Sequence, residues 1–124
     1  MGHMNVMWYV GKFDEATWHL FSLCGLTASF LRQNNRGMAA VEQQIFYKSE
    51  LKAGDLVSIY SHVIEVKDKS IRFSHEMRKE ESGEVASNTV LTGIHIDTLA
   101  RKSCIFPEEI KAKAKALIRA HPVA

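Results

Sequence analysis

Three groups of residues in this 124-residue chain have the types and spacing to do chemistry. His3 and Asn5 stand just ahead of a long apolar stretch, and Asp14 and Glu15 follow within it. A neutral imidazole at His3 could take a proton from water as a general base, although an exposed terminal histidine is the plainer reading. Asn5 has two roles open to it: its side-chain oxygen can cap a helix, or its amide can position a water. Asp14 reads as a surface carboxylate. His62, His75 and His95 fall on three successive predicted strands and raise the question of a metal. Lys67, Lys69 and Arg72 crowd one strand turn, where basic side chains either serve solubility or meet phosphate groups.

The elements that must position these groups follow from periodicity. Val6, Tyr9, Val10, Phe13, Thr17, Leu20, Leu23 and Cys24 recur at helical spacing and predict a principal helix over residues 5–25. Asn5 suits its N-cap, and Gly25 suits the left-handed position that closes it. A short helical turn and a polar loop, Gln33 to Gly37, come next. From Met38 the pattern turns to strands: residues 38–48, 56–66, 70–79 and 84–97. Lys67-Asp68-Lys69 and Glu80-Glu81-Ser82-Gly83 are the connecting turns. Pro107-Glu108-Glu109 opens a terminal helix whose acidic first turn complements the macrodipole.

Pairing the strands through those turns tests the reading. Centring the first turn on Asp68 sets Val63 opposite Phe73 and Ile59 opposite Met77. Centring the second near Glu81-Ser82 sets Phe73 opposite Val90 and Met77 opposite Ala86. One face then reads Val57, Ile59, Val63, Ile71, Phe73, Met77, Ala86, Val90 and Ile94, with Arg72, Ser74, Glu76 and Arg78 on the other. His75 faces inward with Ser61 and Asn88 beside it, either as a satisfied buried polar trio or as a polar patch in a tunnel. His62 and His95 face outward, so no inward triad forms and no metal is expected.

Composition narrows the function classes. Hydrophobic residues make up 46% and charged ones 24%, as in an ordinary globular domain, and one domain over 1–124 is expected. A net charge of +2, without a basic run interleaved with aromatics, argues against nucleic acid. Lys12, Asp14, Glu15 and His19 interrupt the most apolar stretch, so no membrane span is expected. Cys24 and Cys104 are far apart and match no ligand spacing, which fits a reduced, cytoplasmic protein.

One apolar helix followed by a meander of long strands resembles the hotdog plan, which implies an α+β fold with a long central helix wrapped by a curved antiparallel sheet and a short C-terminal helix. Gly2-His3-Met4-Asn5, then Tyr9 and Phe13-Asp14-Glu15-Ala16, resembles the signature of 4-hydroxybenzoyl-CoA-type acyl-CoA thioesterases. Gly54-Asp55-Leu56-Val57, Asp97 to Arg101 and Pro107-Glu108-Glu109-Ile110 resemble later segments of that family. A Gly-His-Met start can also be a cloning scar, but its continuation at family spacing favours a native sequence.

The resemblance implies a thioester hydrolase acting on acyl-CoA, with coenzyme A as part of the substrate and no separate cofactor. It implies a homodimer or homotetramer, with the pantetheine arm bound between subunits. His3, Asn5 and Glu15 become the candidate catalytic residues, Glu15 as a pocket carboxylate or a solvated helix face. Tyr9, Phe13 and His75 become candidates for the acyl pocket, and Lys67, Lys69 and Arg72 for the coenzyme A phosphates. In that family a strand ending in a catalytic acid precedes the Gly-His pair. Here only Met1 does, so impaired turnover is one expectation, and a non-catalytic acyl-CoA or acyl-carrier binding module is the alternative.

Overall fold

The computed structural model describes residues 6–49, 51 and 54–118, with side chains from Trp8 onward. His3 and Asn5, and with them the expected N-cap, lie outside the described residues. Helix α1 covers Val6–Leu23. Its buried stripe is Tyr9, Phe13, Leu20, Phe21 and Cys24. This is narrower than the apolar spacing alone predicts: Val10 and Leu23 are 40% and 57% exposed. Gly25 closes the helix at φ +95°. Its N–H donates to the Ser22 carbonyl at 3.1 Å, and the Leu26 N–H donates to Phe21 at 2.9 Å. Two terminal carbonyls are thereby satisfied, and Leu26 is drawn wholly into the core.

A short helix, α2 (Ala28–Gln33), follows, with the Thr27 hydroxyl accepting from the Phe30 N–H. Strand β1 (Arg36–Tyr47) begins two residues earlier than expected. Asn35 turns the chain at φ 53°, and Arg36 at once pairs with Asp97, its guanidinium 3.4 Å from that carboxylate. The remaining strands are β2 (Val57–Val66), β3 (Ser70–Lys79), β4 (Val85–Asp97) and the two-residue β5 (Lys102–Ser103). Helix α3 (Glu108–Ala116) carries the expected acidic first turn. The four long strands form an antiparallel sheet in the order β1-β4-β3-β2, with β5 paired to β4.

Val63 lies opposite Phe73, Ile59 opposite Met77 and Ser61 opposite His75 as expected, although the turn itself sets Val66 opposite Ile71 and an irregularity between Val63 and Glu65 shifts the register by one residue. The second pairing is one residue out. Phe73 faces Leu91, Met77 faces Ser87 and His75 faces Thr89. The cause is a bulge between Met77 and Arg78, which leaves Ala86 as the extra residue on β4. The Ala86 carbonyl accepts from the Lys48 and Ser49 N–H groups, holding the end of β1 against that bulge. Beyond it every side chain of β4 changes face. Thr89, Leu91 and His95 point inward and are buried, while Val90 and Ile94 belong to the opposite side. The outward placing of His95 and the pairing of His75 with Asn88 are therefore corrected.

The inner face of the sheet and α1 enclose two apolar clusters. Tyr9 and Phe13 pack with Leu51, Met77 and Ala86 near the start of the helix. Leu20, Phe21 and Cys24 pack with Val63, Ile71, Phe73 and Leu91, and α3 adds Ile110 and Ala114. Between the clusters the core is polar, around His75.

Candidate active site

Because Val10 lies off the buried stripe, one flank of α1 stands clear of the sheet and leaves a cleft above β1 and β4. Its volume is about 190 Å³. Helix α1 contributes Val10, Asp14, Thr17 and Trp18, and β1 contributes Met38, Ala40 and Gln43. Residues at i, i+3 and i+4 share a helix face, which sets Val10, Asp14 and Thr17 along one wall. Leu91 and Gly93 form part of the floor. A Cβ at Gly93 would come within 3.3 Å of Met38 Cε and 3.4 Å of Phe21 Cζ, so the missing side chain keeps the floor open. Asp14 is the one carboxylate among the lining residues, and Gln43 brings amide N–H donors.

Behind this wall lies a hydrogen-bonded trio. Thr17 Oγ1 donates to the Phe13 carbonyl at 3.0 Å and lies 2.9 Å from His75 Nε2. His75 Nδ1 lies 2.6 Å from Ser61 Oγ. The imidazole is 1% exposed and stacks on Phe13, with an interplanar angle of 12°. Burial, and to a smaller degree the charge of His62, push its pKa down to about 4, so it is neutral at ordinary pH.

The structure brings only some of the sequence candidates together. His75 backs the cleft through Thr17. Tyr9 and Phe13 lie in the core rather than in the cleft wall, Tyr9 edge-on to Tyr47 at 5.1 Å between ring centroids. Glu15 is exposed, with Lys12 3.5 Å away. Lys67 and Lys69 sit at the β2–β3 turn and Arg72 on the outer face of β3, all exposed and outside the cleft lining. Lys111 reaches the same turn to bond Asp68, and that ammonium holds the Asp68 carboxyl below its ordinary value.

The histidines do not converge. His62 is bonded to Ser74 on the outer face, while His95 lies six positions along β4 from the residue opposite His75. His95 Nδ1 reaches the Cys104 and Ile105 carbonyls at 3.1 and 3.2 Å. Among the described residues no group of three His, Cys, Asp or Glu side chains could hold a metal ion. None of their helices is long and apolar enough to cross a membrane. Thr17 and Gln43 were not singled out by sequence as site residues, and Asp14 reads there only as a surface carboxylate. The available signal was the three-residue spacing of Asp14 and Thr17 beside the apolar stripe.

Comparison with known proteins gives a consistent result. Residues 1–114 match the family described as the Thioesterase-like superfamily. Over 106 residues the chain is 28% identical to an L-carnitine dehydrogenase/betainyl-CoA thioesterase of Agrobacterium fabrum, covering 86% of this chain and 22% of that protein. It spans about a quarter of the length of the curated relatives it matches. Among solved structures, a hypothetical protein from Staphylococcus aureus in complex with CoA superposes with a TM-score of 0.90 at 20% identity, over 100% of this chain and 85% of that one. A 1,4-dihydroxy-2-naphthoyl-CoA thioesterase from Synechocystis superposes with a TM-score of 0.82 at 16% identity, over 98% and 88%. These likenesses establish a hotdog-like α+β fold.

Proposed function

Because this chain belongs to the Thioesterase-like superfamily, we propose that it hydrolyses an acyl-CoA thioester in the cleft beside α1. The observation that carries this reading is the placing of one carboxylate, Asp14, in a largely apolar cleft just large enough for a small acyl group. Asp14 takes a proton from water as the water oxygen attacks the thioester carbon. The Gln43 amide donates to the carbonyl oxygen as it gains charge. The tetrahedral intermediate then expels the coenzyme A thiolate, which is protonated to the free thiol, and the carboxylic acid is left in the cleft.

The assembly we propose is a homodimer or homotetramer joined through β1. That twelve-residue strand is paired only to β4 among the described residues, and Val41 and Phe46 on it are 58% and 49% exposed. Val6 lies roughly 12 Å along the helix axis from Asp14, from a rise of 1.5 Å per residue. One thioester carbonyl cannot reach both, and His3 and Asn5 remain proposed catalytic candidates on the family resemblance alone. Lys67, Lys69 and Arg72 remain the proposed contacts for the coenzyme A phosphates, and Glu15 a solvent-side charge. Release of free thiol from a panel of short, long and aromatic acyl-CoAs tests the reading. Turnover is expected with the smaller acyl groups, and a chain inert towards all of them would refute it.

A further inference from the structure

The hydrogen bonds around Thr17 take one consistent direction when its hydroxyl satisfies the Phe13 carbonyl. A threonine hydroxyl has one proton and two lone pairs. The proton of Thr17 goes to the Phe13 carbonyl. Its oxygen must therefore accept from His75, which requires the proton of the neutral imidazole to sit on Nε2. Nδ1 then carries a lone pair, and the Ser61 hydroxyl, 2.6 Å away, donates to it. Each proton has a single acceptor, and the hydroxyl of Thr17 is left with one free lone pair. Thr17 lines the cleft one helical turn from Asp14.

We propose that His75 is a positioning residue, which, with its tautomer set by Ser61, holds the Thr17 hydroxyl as an acceptor-only group facing the attacking water. This role presupposes the hydrolysis proposed above. A water between Asp14 and Thr17 then donates one hydrogen to each and meets no donor from either of them. Its own lone pair is left for the thioester carbon. Were the imidazole protonated on Nδ1 instead, Thr17 would have to donate to Nε2, abandon the Phe13 carbonyl, and offer the cleft a different pattern. Burial of the ring keeps it neutral, and so keeps this arrangement, across the ordinary pH range.

Two measurements test the role. The first is ¹⁵N-detected NMR of the histidine-labelled full chain, which reads the His75 tautomer without reference to activity. The expected spectrum has a protonated Nε2 and a pyridine-like Nδ1, and a protonated Nδ1 would overturn the proposal. The second is thiol release by Thr17→Val, Thr17→Ser and Asp14→Asn. Thr17→Val should lower kcat about 10- to 100-fold, the loss expected for one aligned hydrogen bond, with KM nearly unchanged. Thr17→Ser should restore most of it. If Thr17→Val keeps the original kcat while Asp14→Asn is inactive, the hydrolytic reading stands and the positioning role fails. If Asp14→Asn is as active as the unaltered chain, Asp14 is not the base, and the positioning role fails with it, whereas a chain inert towards every acyl-CoA would refute hydrolysis itself.

Discussion

Thr17 on α1 and His75 on β3 are separated by 58 residues of sequence and by 2.9 Å in space. Their contact ties the wall of the cleft to the middle of the sheet. It also places a titratable ring in the centre of the core, where its protonation must tell on stability.

Folding stability should therefore fall as the solution is acidified through the histidine range. The folded pKa of His75 is lowered from 6.5 to about 4. The unfolded chain binds the extra proton first, so the contribution is fully present above pH 6.5 and is lost as pH falls towards 4. The loss is roughly 3 kcal/mol at 1.36 kcal/mol per pKa unit. His95 is shifted in the same direction, also by burial. Urea midpoints across this window measure it, and a His75→Phe variant that retained the full dependence would contradict it.

The floor of the cleft should respond to Gly93. A methyl group there meets the flexible end of Met38 and the ring of Phe21. Gly93→Ala should leave stability within about 1–2 kcal/mol, because Met38 can move. Gly93→Leu should instead fill the cleft and raise KM for the larger acyl groups first. Equal KM values for all acyl lengths in Gly93→Leu would show that the acyl group binds elsewhere.

The helix connection should depend on Thr27. Its hydroxyl caps α2 by accepting from the Phe30 N–H at 3.1 Å. Thr27→Ala should cost about 1 kcal/mol in the urea midpoint. Phe73→Ala, which empties a site 1% exposed between α1 and the sheet, should cost about 3–5 kcal/mol.

Assembly should be sensitive to the β1 edge. Val41 marks a register shift on that strand and is largely exposed. Sedimentation should find at least a dimer for the unaltered chain at micromolar concentration. Val41→Lys should move it towards monomer, since a charge on an edge strand opposes pairing. A strictly monomeric unaltered chain would contradict the proposed assembly.

How far the sequence foretold this molecule varies with what each residue's neighbours decide. Asp68 sits in a tight turn where Lys67 N–H donates to the Ser70 carbonyl, so local chemistry joins β2 to β3, but the Ser61–His75 pair also rests on a one-residue shift between Val63 and Glu65. The β3–β4 register depends on Ala86, whose carbonyl is held by Lys48 and Ser49 from a distant strand. No local pattern announces that bulge, and Thr89 and His95 changed face because of it. Gly25 was legible because only one conformation closes the helix there. The exposure of Val10 was not, because it depends on where β1 stops covering α1. Asp14 looked like surface for the same reason: it is exposed, yet the surface it shares is a cleft.

The most direct measurement of the central claim pairs chemistry with binding in the unaltered chain and in Asp14→Asn. Thiol release from a short acyl-CoA should drop about 10²- to 10⁴-fold in the variant, the range for a positioned general base. Calorimetry with coenzyme A should find its affinity nearly unchanged. Binding without turnover in the unaltered chain would contradict the claim and make the protein an acyl-CoA binding module.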